Sequence, residues 1–418
     1  MISALMTAPG VLGAEVGDPL LAPGTDLWWK PLVIVLIKVL VAFVVLLLCT
    51  ALMIWYERKF IADLQNRVGP DRAGGRWGLL QTLADGTKLF FKEALWPARA
   101  EKTVFRIAPY LAALPAFLTI CIIPLGGEVT IWGERTLLQV AEPPIGVLFA
   151  LMLSGIGVYG VMLAGWSSGS KYPLIGSVRA SAQMVSYEAA LGLSLAAVVL
   201  KTGSLSTQAI VAGQAGFRWN LWDLIFIPAI VFAIAATAEL NRPPFDLVEA
   251  ESELVGGFHT EYSSARFAMF YLAEFMNTIT MSALITTLFL GGPNIPWNVP
   301  VLGSSSVVWL VLKIFLLLSV YVLLRATLPR YRYDQLMDLG WKRLIPASLL
   351  WLLLLAALRL ERDGDFASRL RNLGIAGAGV LVAAGLLWAA VRVGRQVAEE
   401  ELGIGTSPTP SGPRAGRF

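Results

Sequence analysis

Charge is what this chain has least of. Only 15% of its 418 residues are Asp, Glu, Lys or Arg, against 56% hydrophobic residues, whereas a soluble domain carries about 25% charged residues. A chain so poor in polar side chains cannot cover its surface in water, which excludes a soluble enzyme. Histidine occurs once, at His259, and cysteine twice, at Cys49 and Cys121. These are too few to ligate an iron–sulfur cluster or a bis-histidine haem, so no protein-bound electron carrier is expected here. Both cysteines fall inside apolar runs and read as small fillers. The period-2 alternation of an outer-membrane barrel is absent. Residues 1–27 contain no basic residue, so no cleaved signal peptide is expected.

What the chain does have is long apolar runs: 30–56, 104–124, 144–166, 178–200, 222–240, 267–290, 306–328, 344–360 and 372–393. Each is long enough to be read as a transmembrane helix, giving an all-α, polytopic membrane protein. The expected organisation is an N-terminal segment 1–29, a membrane domain 30–360, an extra hydrophobic segment 361–394 and a disordered tail 395–418. The net charge of +4 reads as topology rather than nucleic-acid binding. The loop 57–103 with Arg106 carries ten Lys and Arg residues and 329–343 is also basic, while 291–305 has no charge. The basic loops belong in the cytoplasm, with the N-terminus outside.

Two loops on the expected cytoplasmic side stand out. Within 57–103, the segment 79–93 repeats Leu79, Leu80, Leu83, Thr87, Phe90 and Phe91 at helical spacing, which predicts a short amphipathic helix at the membrane interface. The loop 241–262 carries Asp246, Glu249, Glu251, Glu253 and Glu261 against Arg242. On a helix, Asp246, Glu249 and Glu253 would share one stripe.

Ionisable residues inside the runs are costly and mark candidate function. They are Lys38, Glu188, Glu274 and Lys313, with Glu239 at the end of its run. The polar neighbours Arg179, Gln183, Ser186 and Tyr187 turn Glu188 toward other helices or water. Glu274 shares a stripe with Tyr271, Thr278 and Ser282. Three carboxylates at graded depth, leading from an acidic loop, favour a proton path over a purely packing role. Lys38 and Lys313 are expected to snorkel outward. His259 reads as a solvated or hydrogen-bonded loop side chain able to titrate near pH 6.5.

Four stretches carry a family resemblance: ERKFIADLQNRVGPDRAGGRWGLLQTLADGTKLFFKE at 57–93, GWSSGSKYPLIGSVRASAQMVSYEAALG at 165–192, AELNRPPFDLVEAESELVGGFHTEYSSARFAMFYLAEFMN at 238–277 and RATLPRYRYDQLMDLGWKRLIP at 325–346. They resemble the H-type membrane subunit of proton-pumping NADH:quinone oxidoreductase, the respiratory complex I subunit 1 family, over roughly residues 28–360. The resemblance implies a translocase subunit without a redox centre of its own, in the membrane of a bacterial cell, that helps form the quinone-access cavity. Quinone would be the substrate; NADH, FMN and the iron–sulfur clusters would belong to partner subunits. The implied partners are the peripheral quinone-site subunits, antiporter-like membrane subunits and the lipid bilayer.

On the matching positions, Glu188, Glu239 and Glu274 would form the proton channel, and Asp246, Glu249, Glu251 and Glu253 the acidic coupling loop. Glu57, Arg58, Arg67 and Asp85 would lie near the cavity entrance. The family has eight spans with both ends outside, so 372–393 would be a ninth, returning the C-terminus to the cytoplasm. Three other readings stay open at this point: the equivalent subunit of a membrane-bound hydrogenase, a proton-coupled secondary transporter and a purely structural anchor. A transporter would typically show repeated halves, and none is visible.

The orientation is testable. Cysteines introduced at Arg76 and Ser252 should resist an impermeant thiol reagent in intact cells and react after permeabilisation; labelling of either from outside would reverse the topology.

Overall fold

The computed structural model describes residues 18–21, 29–216, 218–248, 254–299, 303–362 and 385. The chain divides into two compact units, Met1–Gly340 and Trp341–Phe418. The first holds helices α1 (Trp29–Leu64), α2 (Gln81–Phe91), α3 (Lys102–Ile120), α4 (Gly146–Ser167), α5 (Lys171–Thr202), α6 (Thr207–Ala212), α7 (Asn220–Asp223), α8 (Ile227–Glu239), α9 (Ser264–Phe289), α10 (Val307–Thr327) and α11 (Tyr333–Asp338). In the second unit α12 (Ile345–Arg362) is described. Among the described residues seven helices are long and apolar enough to cross a membrane. The segments expected as a ninth span at 372–393 and as a tail at 395–418 lie outside the described residues, apart from Gly385 within the former.

The central element is α9. Among its buried residues, hydroxyl side chains are interleaved with large apolar ones, and the hydroxyls from Thr278 onward are satisfied within the helix. Thr278 donates to the Glu274 carbonyl at 2.9 Å, and Ser282, Thr286 and Thr287 to the carbonyls of Thr278, Ser282 and Ala283 at 2.8 Å each. The polar atoms are thereby neutralised, and small side chains let neighbouring helices approach closely. Helix α3 packs on α4 at comparably short range: a Cβ on Gly160 would come within 2.6 Å of the Ala112 backbone nitrogen. Helix α5 ends at Gly203, whose φ of +75° suits a left-handed helix cap.

Two expectations about helix extent change. The run 222–240 is not one continuous helix. Ile225 and Phe226 have φ of +55° and +58°, and Pro228 sits in the first turn of the helix that follows. The result is α8, 13 residues long. At ~1.5 Å per residue it reaches ~20 Å, short of a ~30 Å hydrocarbon core. Conversely, α1 runs past its apolar stretch to Leu64, so Glu57 and Arg58 are helical rather than loop residues.

Neither intramembrane lysine snorkels. Lys38 on α1 pairs with Asp18 at 2.7 Å and hydrogen-bonds Thr136. This ties the N-terminal segment to a hairpin of β1 (Glu128–Ile131) and β2 (Glu134–Leu137). Burial pushes the Asp18 carboxyl up, but Lys38, the Leu20 amide and Thr136 more than offset it and leave it below its usual value. The hairpin turns at Trp132 and Gly133, both at positive φ, the pattern of a tight two-residue turn. A second hairpin pairs β3 (Asn294–Val299) with β4 (Gly303–Ser305).

Lys313 on α10 donates to the carbonyls of Leu290, Gly292 and Asn294 at 2.6, 2.9 and 2.6 Å. It also lies 4.6 Å from the centre of the Trp219 ring. All three ammonium donors are used, closing the C-terminal end of α9. Lys313→Met should leave three carbonyls unpaired and destabilise the fold by about 2 kcal/mol. A thermal midpoint in detergent equal to wild type would contradict this role.

Candidate functional site

At the end of the first unit that carries the loops 65–101 and 240–263, four charged side chains from four segments meet around Arg242. Arg242 follows α8 and is only 2% exposed. Its Nη1 donates to Glu57 Oε2 of α1 at 2.7 Å, and its Nε lies 3.2 Å from Glu274 Oε1 of α9. The guanidinium carbon is 4.3 Å from the centre of the Phe275 ring. Arg325 of α10 pairs with the other Glu57 oxygen. Two arginines face two carboxylates, so the cluster is balanced in charge, with the Arg325 side chain 41% exposed and the Arg242 and Glu57 side chains buried.

Two cavities adjoin this cluster. The first, of about 390 Å³, is polar and lined by Glu57, Arg58, Gln65, Arg67, Tyr271, Phe275 and Arg325 among others. The second lies inside the helices, has a volume of about 100 Å³, and is bordered by Ser154, Glu239, Asn241, His259, Tyr271, Glu274, Asn277 and Thr280 together with apolar side chains. Tyr271 lines both. Glu239 accepts a hydrogen bond from Ser154 of α4. Its Oε2 is buried with no hydrogen-bond partner among the described residues, an atom that calls for water or a proton. At the next residue of α4, a Cβ on Gly155 would lie 3.4 Å from Glu188 Oε1. The two carboxylates therefore converge on Ser154 and Gly155.

The acidic loop is anchored by its neighbours. Gln183 of α5 donates to the carbonyls of Ala238 and Phe245 at 2.7 and 3.1 Å and to Asn241 Oδ1 at 3.2 Å. Asp246 lies 3.6 Å from Arg330 Nη2, and Phe245 stacks on Tyr331 with ring centres 5.5 Å apart. The acidic and basic loops thus meet at one end of the bundle. Loop 57–103 joins them: the Leu95 amide donates to Ser263 Oγ at 2.9 Å and Ser264 Oγ to the Leu89 carbonyl at 3.2 Å.

The profile of the family described as NADH dehydrogenase matches residues 37–356. The NADH-quinone oxidoreductase H subunit of Frankia alni is 48% identical over 94% of this chain and 86% of its own length. The protein of the same name from Frankia casuarinae is 49% identical over 84% of this chain and 78% of its own. That of Streptomyces avermitilis is 44% identical over 94% and 87%. The chain belongs to the family of NADH-quinone oxidoreductase H subunits. The matched region contains every predicted site residue from Glu57 to Glu274.

Within this family member, Glu57, Arg58 and Arg67 share the polar cavity. Asp85 of α2 pairs with Arg58 at 2.5 Å and accepts from Gln81 at 3.0 Å. The amphipathic segment forms α2, with its apolar side chains uncovered; Phe91 is 88% exposed. Glu239 and Glu274 share the interior cavity, while Glu249, Glu251 and Glu253 lie outside the described residues. Thr278 and Ser282, expected beside Glu274, turn to their own helix; Asn277 and Thr280 face the cavity instead. Among the described residues no three His, Cys, Asp or Glu side chains group to hold a metal ion.

Sequence reasoning gave no site role to Arg242 or Arg325 and read Tyr271 as a stripe neighbour of Glu274. The available signals were that Arg242 is the lone base of the acidic loop and that Arg325 opens the motif at 325–346.

His259 also differs from expectation. It packs edge-on against Phe258 and Phe267, and burial pushes its pKa down to about 4, so it stays neutral at physiological pH. A histidine whose folded pKa lies below the unfolded value of 6.5 costs stability as pH falls from 6.5 toward 4, because the unfolded chain binds the extra proton. The loss reaches about 3 kcal/mol at pH 4. His259→Gln should therefore flatten the decline in thermal midpoint between pH 7 and pH 5, and an unchanged slope would show that the ring is accessible to protons in the folded state.

Proposed function

We propose that this membrane subunit of NADH-quinone oxidoreductase, an enzyme complex, forms part of the wall of the quinone-access cavity and couples quinone reduction to proton translocation through its buried carboxylates. The observation that carries the reading is that Tyr271 lines both the polar cavity and the interior one, with the Arg242 cluster between them. The polar cavity, with Glu57, Arg58, Arg67 and Asp85 at its margin, would receive the quinone headgroup from the bilayer. NADH, FMN and the iron–sulfur clusters would reside in partner subunits. The loop end of the bundle would face the peripheral quinone-site subunits in the cytoplasm, and antiporter-like subunits would continue the membrane arm.

Reduction of a quinone to quinol consumes two protons as well as two electrons, so it changes charge beside Glu57. Arg242 is shared between Glu57 and Glu274, and Arg325 can hold Glu57 when Arg242 leaves it. A shift of Arg242 toward either carboxylate alters which of them can carry a proton. A Glu274 released from Arg242 would face Asn277, Thr280 and Glu239 across the interior cavity, and Glu239 would hand charge on to Glu188 beside Ser154. The acidic loop, from Asp246 through Glu249, Glu251 and Glu253, would feed the same cluster. The names of the relatives favour this reading over a hydrogenase subunit or a transporter.

The test is Glu239→Gln and Glu188→Gln in the assembled complex, each keeping size while removing the titratable proton. Both should lose quinone reductase activity and pumping together, by about tenfold or more, with assembly verified first. Fully assembled variants that both pump at the wild-type rate would reduce these carboxylates to buried packing groups.

A further inference from the structure

Away from both cavities, the structure brings two cations together with no acid between them. Arg106 on the second turn of α3 and Arg266 on the first turn of α9 both approach the indole of Trp96, with their guanidinium carbons 5.6 and 3.5 Å from the ring centre. Their charges repel one another. No carboxylate of the described residues pairs with either. The loop is held in place to create this arrangement: the Leu95 amide binds Ser263 Oγ at 2.9 Å and the Glu101 amide binds the Ser167 carbonyl at 2.9 Å. Two helix N-termini, those of α3 and α9, start beside the pair and add positive potential.

Directly along α3 from Arg106 runs an uncovered apolar stripe of Ile107, Tyr110, Leu114 and Leu118, 39 to 55% exposed. The spacing i, i+3, i+7, i+11 puts them on one face, and eleven residues of helix span ~16 Å, much of the length of an acyl chain. Helix α3 is one of the spans long and apolar enough to cross the membrane. Trp96, on the loop before it, is the residue type that sits at headgroup depth.

We propose that this surface is a binding site for an anionic phospholipid. The phosphate would bridge the guanidiniums of Arg106 and Arg266 and relieve their repulsion, with one acyl chain lying on the α3 stripe. Paired guanidiniums match phosphate oxygens through charge-assisted hydrogen bonds. A zwitterionic headgroup carries its own ammonium and would restore the repulsion, which is why the site selects a net negative lipid.

The experiment uses the assembled, delipidated complex supplied with phosphatidylglycerol or phosphatidylcholine, followed by counting of retained lipid by native mass spectrometry. The wild-type complex should retain phosphatidylglycerol in preference to phosphatidylcholine. Arg106→Ala and Arg266→Ala should each weaken that retention about fivefold, while Lys at both positions should keep most of it. On the wild-type complex, phosphatidylglycerol with a photoreactive acyl chain should label the peptide 102–120, which tests the site even if the variants assemble poorly. Equal retention of the two lipids, displacement of the bound lipid by inorganic phosphate alone, or protection of the peptide by a neighbouring subunit's acidic segment would each overturn the proposal.

Discussion

A single buried guanidinium organises the functional half of the bundle. Arg242 reaches α1 through Glu57, α9 through Glu274 and, by way of Glu57, Arg325 of α10. Removing this charge would leave Glu274 without the cation beside it and Glu57 with Arg325 alone, and breaking such a pair is costly. The cluster also sits where flexibility would be functional. Glu57 is held by two arginines, while Glu274 has Arg242 alone among the described ion pairs. Because the positive and negative charges balance, one proton gained or lost upsets a neutral arrangement rather than adding to an existing surplus.

The packing around this cluster follows from how polar groups survive among apolar helices. Hydroxyls on α9 fold back onto their own carbonyls, Gln183 spends its amide on the loop after α8, and Lys313 spends all three protons on the end of α9. One buried carboxylate oxygen without a hydrogen-bond partner among the described residues, Glu239 Oε2, borders the interior cavity.

Some of the site was legible residue by residue. Glu188, Glu239 and Glu274 announce themselves because a carboxylate in an apolar run has few reasons to be there. The interfacial helix is visible in the repeat of Leu83 with Phe90 and Phe91. Lys38 and Lys313 misled because their long stems permit snorkelling, and only distant segments, Asp18 and residues 290–294, supply the oxygens that draw them inward. The run at 222–240 misled because hydropathy averages over a break; Ile225 and Phe226 adopt positive φ without any glycine to advertise it.

Composition and run length determined by themselves that this is a helical membrane protein, because burying backbone in lipid leaves few alternatives to helices. The four motifs determined the family by their order and length. Tertiary structure alone decided which charges meet. Arg242 is separated by 185 residues from Glu57, and no periodicity links positions so far apart in the chain. Their pairing depends on how α1, α9 and α10 pack, and that depends on side-chain shape and close approach, which a one-dimensional pattern of hydropathy does not contain.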